Sequence, residues 1–252
     1  MSVLCFLKNV LFPPRCIACG VLLEAYHDDR AEEVLCPSCR GEWERDKLDI
    51  CPVCYEARMD CRCMGSYMKH AHFLGAVSLL SYRSDGHTVG NRVVQYLKNY
   101  KDRRAVDFIA TQLSYPVRNF LREQSLEECE LLFTWVPRSA KRQREAGLDQ
   151  SALLASRLAA RFDAGAQAVF VRRRGGSAQK QLSYRDRMRN ADRSFALSEE
   201  LPPLHGRVVV LVDDVVTSGA TMAACAKLLN RQGCRAVLGV SIAKTVKAPS
   251  GR

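Results

Sequence analysis

Paired cysteines near the start of the sequence are the first residues whose spacing could do chemistry. Cys16 and Cys19 are followed, after sixteen residues, by Cys36 and Cys39. Thiolates at this spacing are typical ligands of structural zinc, which takes four ligands in a tetrahedron. A further CxxC pair and a CxC pair supply four more candidate ligands: Cys51, Cys54, Cys61 and Cys63. The sequence predicts one or two zinc sites with the ligands grouped in chain order; a cross-brace arrangement and disulfides are the alternatives.

The segment VVVLVDDVVTSGAT, residues 208–221, is the second feature with chemical potential. Its apolar run predicts a buried parallel strand that delivers Asp213 and Asp214 at its carboxyl end. The following residues turn into a helix whose first backbone N–H groups form an anion site together with hydroxyl side chains. Carboxylates accept hydrogen bonds from vicinal ribose hydroxyls, so a ribose 5-phosphate, such as that of phosphoribosyl pyrophosphate (PRPP), satisfies both halves. The predicted site comprises Asp213, Asp214, Thr217, Ser218, Gly219, Ala220 and Thr221.

Two other interpretations of this segment account for less of it. A core strand followed by an aspartate that caps a helix explains one acid, but neither the second acid nor the TSGAT that follows. A Walker B strand also ends in acids, but it accompanies a GxxxxGK[ST] loop, and this chain contains no Gly-Lys pair.

The rest of the sequence alternates strand patterns with helical ones. Strands are predicted at residues 73–82, 131–136, 168–171, 208–212 and 237–243. Helical faces are carried by Val89, Val93 and Leu97, by Val106, Ile109 and Leu113, by a helix from Ser151, and by Met222, Ala226 and Leu229. This alternation predicts an α/β fold with a mainly parallel, covered sheet. Residues 172–194 interrupt it as a long polar loop rich in arginine.

A change of composition near residue 65 divides the chain into two predicted units. Residues 1–66 hold a short N-terminal helix and the paired cysteines, and residues 67–252 hold the sheet. The net charge of +11, from 38 basic and 27 acidic residues, favours phosphate on a small ligand or on nucleic acid. The first fourteen residues are too short to span a bilayer and lack the pattern of a secretory signal. We expect a cytoplasmic protein with no membrane span.

Several segments of the sequence together resemble one family. In order, they are FPPRCIACG with the later cysteine pairs, YLKNYKDRRA, VPRSAKRQREAGLDQSALLA, QKQLSYRDRMRNADRSF and the PRPP-type loop. The chain is similar to competence proteins of the ComF/GntX type, in which a double zinc ribbon precedes a type I phosphoribosyltransferase-like domain. Gly147 and Gln150 match the RRGFNQ common in that family, whereas Leu148 and Asp149 depart from it.

The resemblance implies roles for particular residues. Asp213 and Asp214 would meet the ribose hydroxyls, and Thr217 to Thr221 would hold the 5-phosphate. Magnesium would lie between the sugar and the pyrophosphate. Candidate cations for pyrophosphate or nucleic acid are Arg138, Lys141, Arg142, Arg144 and Arg187, for which a solvated basic face is the alternative.

The resemblance also implies a function. We expect a PRPP-binding accessory protein of natural competence that handles incoming DNA during transformation, with single-stranded DNA and the DNA-uptake machinery as partners. The alternative is an active phosphoribosyltransferase that transfers the phosphoribosyl group from PRPP to a nitrogen acceptor, with residues 172–194 closing over the site. A PRPP-sensing regulator without chemistry is a third interpretation. No catalytic residue is identified by the sequence.

Overall fold

A computed structural model describes residues 13–23, 34–83, 86–100, 102–138, 149–173 and 192–246. The predicted N-terminal helix, Lys141, Arg142, Arg144 and Arg187 lie outside these ranges. None of the helices in the described residues is long and apolar enough to cross a membrane.

A sheet of five strands, paired in parallel throughout, forms the centre of the described chain. The described residues form seven strands in all, five in this sheet and two in a separate ribbon. They are β1 (Gly75–Tyr82), β2 (Leu131–Trp135), β3 (Gly165–Ala166), β4 (Phe170–Arg172), β5 (Phe195–Leu197), β6 (Val208–Val216) and β7 (Ala236–Thr245). The central sheet has the order β1-β7-β6-β2-β3, and β4 pairs with β5 in a separate antiparallel ribbon. The predicted α/β fold is confirmed.

Helices cover both faces of the sheet, which is why its inner strands are apolar at nearly every position. The helices are α1 (Pro37–Lys47), α2 (Ser66–His70), α3 (Val89–Asn99), α4 (Arg103–Glu123), α5 (Gln150–Ala159) and α6 (Ala220–Asn230). Apolar residues of α1, α3, α4 and α5 share one cluster with the sheet, whereas α2 and α6 belong to the cluster on the other face. The predicted helical faces are buried, including Val89, Val93 and Leu97 of α3.

The strand predicted at residues 168–171 is not a member of the central sheet. Its apolar pattern correctly indicates extended backbone, but β4 pairs Arg172 with Phe195 in the ribbon. The place in the central sheet belongs to β3, whose two residues pair with Leu132 and Phe133. A two-residue strand that starts with glycine leaves no pattern in the sequence. The ribbon instead joins the two ends of the long basic segment, with Arg173 N–H donating to Ser194 O at 2.9 Å.

Contacts cross the predicted boundary between the two units. The indole of Trp43 in α1 is fully buried, and its ring lies 5.4 Å from the ring of Phe108 in α4. Lys47 Nζ donates to Gln112 Oε1 at 2.8 Å, and the backbone N–H of Gly90 donates to Asp46 Oδ2 at 2.7 Å. The division at residues 66 and 67 stays a prediction, and these contacts join its two sides.

Replacing Trp43 with alanine tests whether those contacts couple the two units. Truncating a buried tryptophan costs about 3–5 kcal/mol, and we expect the entire chain to lose that much stability in a single transition. Denaturant unfolding followed by the fluorescence of the remaining Trp135, on the central sheet, measures the loss. Tyr115→Ala is the control, because that side chain is 61% exposed on α4. An unchanged midpoint at Trp135 would show that the units unfold independently.

Candidate functional site

The first cysteine group is arranged for a tetrahedral metal ion. The sulfur atoms of Cys16, Cys19, Cys36 and Cys39 all lie within 4.8 Å of one another. Cys19 Sγ and Cys36 Sγ are 3.8 Å apart. Tetrahedral zinc with Zn–S bonds of about 2.3 Å requires sulfurs about 3.8 Å apart, whereas a disulfide bond measures about 2.05 Å. This geometry fits zinc and not a disulfide.

The second group of cysteines forms a cluster of the same kind. The sulfur atoms of Cys51, Cys54, Cys61 and Cys63 also lie within 4.8 Å of one another. The ligands are therefore grouped in chain order, and the cross-brace alternative is not observed. The shorter CxC spacing of the last pair does not prevent the four sulfurs from converging.

The two clusters begin with the same hairpin. Cys16 N–H donates to Val21 O and Gly20 N–H to Cys16 O, each at 2.8 Å. Cys51 and Tyr55 repeat these two bonds at 2.9 Å, the first of them to Glu56 O. Gly20 and Tyr55 occupy equivalent positions with φ of 77° and 62°. The sequence hides this repeat because a tyrosine stands where the first hairpin has the glycine that a left-handed residue favours.

Charges around the second cluster fit a bound metal ion. Burial raises the pKa of the Cys51 thiol, but hydrogen bonds from the backbone N–H groups of Cys54 and Val53 and from the side chains of Cys61 and Cys54 together lower that pKa to about 6. Arg58 is buried, and its NH1 lies 3.4 Å from Cys61 Sγ. A buried guanidinium needs a negative partner. Four thiolates around a divalent ion carry a net charge of −2, which supplies that partner; nothing in the sequence singled out Arg58.

The acidic pair lies within β6 rather than beyond it. The strand was predicted to end at residue 212, but its pairing with β7 continues through Asp213 opposite Ser241 to Val216 opposite Lys244. Its pairing with β2 ends at Val212. At Asp213 and Asp214 the backbone of β6 is therefore held by β7 on one side. On the side of β2 it is not paired with any strand of the described residues. This is the carboxyl edge of the parallel sheet, where ligands of open α/β folds bind.

The two carboxylates differ in their surroundings. Burial and the charge of Asp214 raise the pKa of Asp213 well above its usual range, against the hydrogen bond that Asp214 N–H donates to Asp213 Oδ1 at 2.9 Å. Asp214 has a cationic partner, because Arg138 NH2 lies 3.0 Å from Asp214 Oδ2. The open edge thus carries Asp214, whose charge is offset by Arg138, and Asp213, whose ionisation is disfavoured.

Arg138 is held by residues at the start of α5. Its NH2 also donates to Gln150 Oε1 at 2.9 Å, and its backbone N–H lies 3.4 Å from Asp149 Oδ2. Asp149 caps α5 by accepting from the backbone N–H groups of Ser151 and Ala152. The departure from the family pattern at Asp149 therefore has a structural role. The predicted cation Arg138 is at the site, paired with a carboxylate.

The loop between β6 and α6 leads from the end of the strand into the start of a helix. Gly219 precedes α6 with φ of 78°, a left-handed conformation that favours glycine. Ala220 N–H donates to Ser218 Oγ at 3.3 Å, and the side chain of Thr217 is exposed. The first N–H groups of a helix have no carbonyl partner within it. The structure thus brings the hydroxyl residues, the helix start and the two carboxylates to one edge of the sheet.

A protein-family model matches the part of the chain that forms this edge. Residues 148–252 match the model of the phosphoribosyl transferase domain. These residues, which are fewer than half of the chain, are similar to that domain. The match begins just before α5 and includes both carboxylates and the loop. A hypoxanthine phosphoribosyltransferase from Staphylococcus aureus is similar in structure with a TM-score of 0.37 and 13% identity, over 59% of this chain and 78% of that chain. That score is too low to support a functional argument.

Two curated relatives confirm the resemblance to competence-type proteins. The DNA utilization protein YhgH of Escherichia coli (strain K12) is 42% identical over 106 residues, which are 40% of this chain and 44% of that protein. Competence protein F of Haemophilus influenzae is 32% identical over 126 residues, 50% of this chain and 55% of that protein. The chain thus spans about half the length of the curated relatives it matches.

The metal content of the purified protein tests the cluster geometry. We expect two zinc ions per chain, with all eight cluster thiols reduced, because both groups of four sulfurs converge. Elemental analysis and mass spectrometry after alkylation in denaturant measure the two quantities. Cys19→Ser and Cys54→Ser, at equivalent hairpin positions, should each leave one tightly held ion. Disulfide-linked cysteines in the alkylated wild-type protein would contradict the metal assignment.

Proposed function

We propose that this protein binds PRPP, or a related phosphoribosyl ligand, and acts in the handling of incoming single-stranded DNA. The observation that carries the ligand is the juxtaposition of Asp213 and Asp214 with the loop from Thr217 to Thr221 at one open sheet edge. The 5-phosphate would lie against the start of α6, and the ribose hydroxyls would donate to the carboxylates.

The guanidinium of Arg138 supports the pyrophosphate part of the ligand. A pyrophosphate on the open side of β6 would approach the Arg138 guanidinium, which Asp214 and Gln150 orient. Magnesium at this place, held by few protein ligands and by ligand phosphates, suits the carboxylates there. When bound, it would offset charge on the pyrophosphate.

An aromatic surface next to the site supports nucleic-acid binding. Tyr100 is 59% exposed, and its ring stacks on Tyr96 with centroids 4.7 Å apart. Its carbonyl faces the amide of Gln150, the residue that contacts Arg138. Lys98 Nζ lies 5.2 Å from the centroid of the Tyr82 ring. Exposed rings beside cations are the platform on which proteins stack single-stranded bases.

The names of the two relatives point in the same direction. One is called a DNA utilization protein and the other a competence protein. The formal charge of +11 favours association with a nucleic-acid backbone. DNA handling joined to phosphoribosyl-ligand binding is therefore the function that accounts for both the site and the surface.

Phosphoribosyl transfer is the second candidate, and the similarity to the phosphoribosyl transferase domain favours it. The two functions separate in one assay, in which the protein is incubated with PRPP, magnesium and a panel of nucleobases and amines. Release of pyrophosphate that depends on the acceptor indicates transfer. Binding of PRPP without release of pyrophosphate indicates an accessory role.

The paired variant Asp213→Asn with Asp214→Asn tests the ligand assignment. We expect calorimetry with magnesium to show PRPP binding in the wild type and at least a tenfold loss in this variant, because each amide offers one neutral acceptor oxygen where the carboxylate offers two charged ones. Glu199→Gln, an exposed acid away from the loop, is the matched control. Undiminished affinity in the double variant would refute the assignment.

The thermal stability of the single variant Asp213→Asn tests whether replacing this carboxyl with an amide unfolds the protein. Because the pKa of Asp213 is raised in the fold, ionising it costs stability as the pH rises through that pKa. The variant should therefore unfold at a higher temperature than the wild type at pH 8, by about 2–4 °C for each 1 kcal/mol relieved. The two midpoints should converge at acidic pH, where the wild-type carboxyl is protonated.

Tyr100→Ala tests the aromatic surface as a platform for bases. Loss of one stacked base costs about 1–3 kcal/mol, so we expect oligothymidine to bind about five- to 150-fold more weakly. The dependence of affinity on salt should not change, because stacking releases no counterions. Tyr115→Ala removes an equally exposed ring elsewhere and should have no effect. Equal affinities of the two variants would move DNA binding away from Tyr100.

A further inference from the structure

The side chain of Met68, in α2, fills a slot between two glycines. A Cβ atom on Gly219, the last residue before α6, would lie 2.8 Å from Met68 Cγ. A Cβ atom on Gly239 in β7 would lie 2.8 Å from Met68 Cε. Met68 is 1% exposed, so the slot is closed to solvent. The position of this side chain and the position of the loop backbone at Gly219 are therefore linked by direct contact.

The backbone just before α2 lies against the same loop. A Cβ atom on Gly65 would come within 3.1 Å of the carbonyl oxygen of Ser218. Two consecutive loop residues, Ser218 and Gly219, are thus covered by residues 65–68. A displacement of residues 65–68 would therefore remove the atoms that pack against Ser218 and Gly219.

The other end of this short segment is the second cysteine cluster. Cys63 is separated from Gly65 by one residue, and its carbonyl accepts a hydrogen bond from Lys244 Nζ at 2.8 Å. Lys244 lies opposite Val216 in the β6–β7 register, and Val216 immediately precedes the loop. Cys63 is therefore attached to β7, the strand that pairs with β6 next to the loop, and through residue 64 to the segment that covers the loop.

The first cluster has no such connection among the described residues. Cys16, Cys39 and Trp43 belong to the apolar cluster on the opposite face of the sheet, with α3 and α4. Met68 and Tyr67 belong to the face that contains α6. The chain thus offers two metal sites of the same chemistry, of which one contacts the loop through a short segment and the other does not.

We infer that the second cysteine cluster, with its metal bound, positions the phosphate-binding loop through residues 64–68, and that Met68 and Lys244 are positioning residues for the phosphoribosyl ligand. The inference rests on the proposed function. Backbone N–H groups bind an anion well only when they are held in place before the ligand arrives. Release of metal from this cluster frees residues 61–68 and with them the support of Ser218 and Gly219. Metal in the first cluster has no such effect.

The experiment compares Met68→Ala with Met68→Leu, and Cys54→Ser with Cys19→Ser. Ribose 5-phosphate and PRPP binding are measured by calorimetry, metal content by elemental analysis, and amide hydrogen exchange at residues 217–223 by mass spectrometry. We expect Met68→Ala to keep two zinc ions and the wild-type secondary structure but to bind at least tenfold more weakly and to exchange faster at the loop. Met68→Leu, which restores the volume, should recover affinity to within about threefold.

The cysteine pair gives an independent result that does not require Met68→Ala to fold. Each serine variant should lose one zinc ion, but only Cys54→Ser should weaken binding and accelerate exchange at the loop. Equal affinities of Cys54→Ser and Cys19→Ser, or a Met68→Ala variant that binds within twofold of the wild type, would overturn the inference. Failure of the wild type to bind either ligand would instead refute the proposed function, and the exchange data would still report whether the cluster orders the loop.

Discussion

The candidate site exists because β6 stays paired with β7 for four residues after β2 has ended. Up to Val212 the strand has a partner on each side, and from Asp213 to Val216 β7 is its only partner within the described ranges. The remaining ladder holds the backbone in place, while the open edge gives the carboxylates room to meet Arg138. The same extension places Val216 opposite Lys244 of β7, and Lys244 donates a hydrogen bond to Cys63 of the second cysteine cluster. The sheet, the two acids and the second cysteine cluster are thus connected because the pairing of β6 with β7 is longer than its pairing with β2.

Elements that bury a continuous apolar run could be predicted from the sequence, and elements created by pairing could not. The core of β6 and the helical face of Val89, Val93 and Leu97 follow from burial, which leaves a periodic pattern. The last four residues of β6 are strand only because β7 continues beside them. In the same way, β3 is a strand because Leu132 and Phe133 offer an edge to it. Long-range pairing of this kind leaves no local signal, which explains why residues 168–171 were assigned to the wrong sheet.

The site shows the same division between residue chemistry and residue placement. Cysteine ligands and the acidic pair could be identified because few other residue types can do their chemistry at that spacing. Met68 and Arg58 could not, since a methionine in a short helix or an arginine in a turn has many ordinary roles. Their importance comes from what surrounds them, two glycines in one case and a thiolate in the other. Gly219 is expected to allow close approach of a phosphate, and the structure adds that a Cβ atom at this position would meet the Met68 side chain.

The two clusters differ in what they hold, although their hairpins are alike. The first leads directly into α1, because Cys36 is the residue before that helix and Cys39 lies in its first turn. Metal binding there is coupled to the packing of Trp43 on α4. The second leads into α2 and the loop. The two cysteine clusters therefore share the form of their hairpins but lead into different helices, α1 in one case and α2 in the other.

The distribution of charge at the open edge supports the proposed preference for a sugar phosphate over a bare polyphosphate. Arg138 offsets the charge of Asp214, but Asp213 has Asp214 as its nearest charged neighbour and a pKa raised by burial. An anionic group beside Asp213 would add to this repulsion, whereas a hydroxyl donor satisfies the carboxylate without bringing charge. The loop at the start of α6 has the opposite character, because its N–H groups favour negative charge. A ligand that places neutral hydroxyls at the strand end and a phosphate at the helix start matches both regions, and a ribose 5-phosphate has that order of groups.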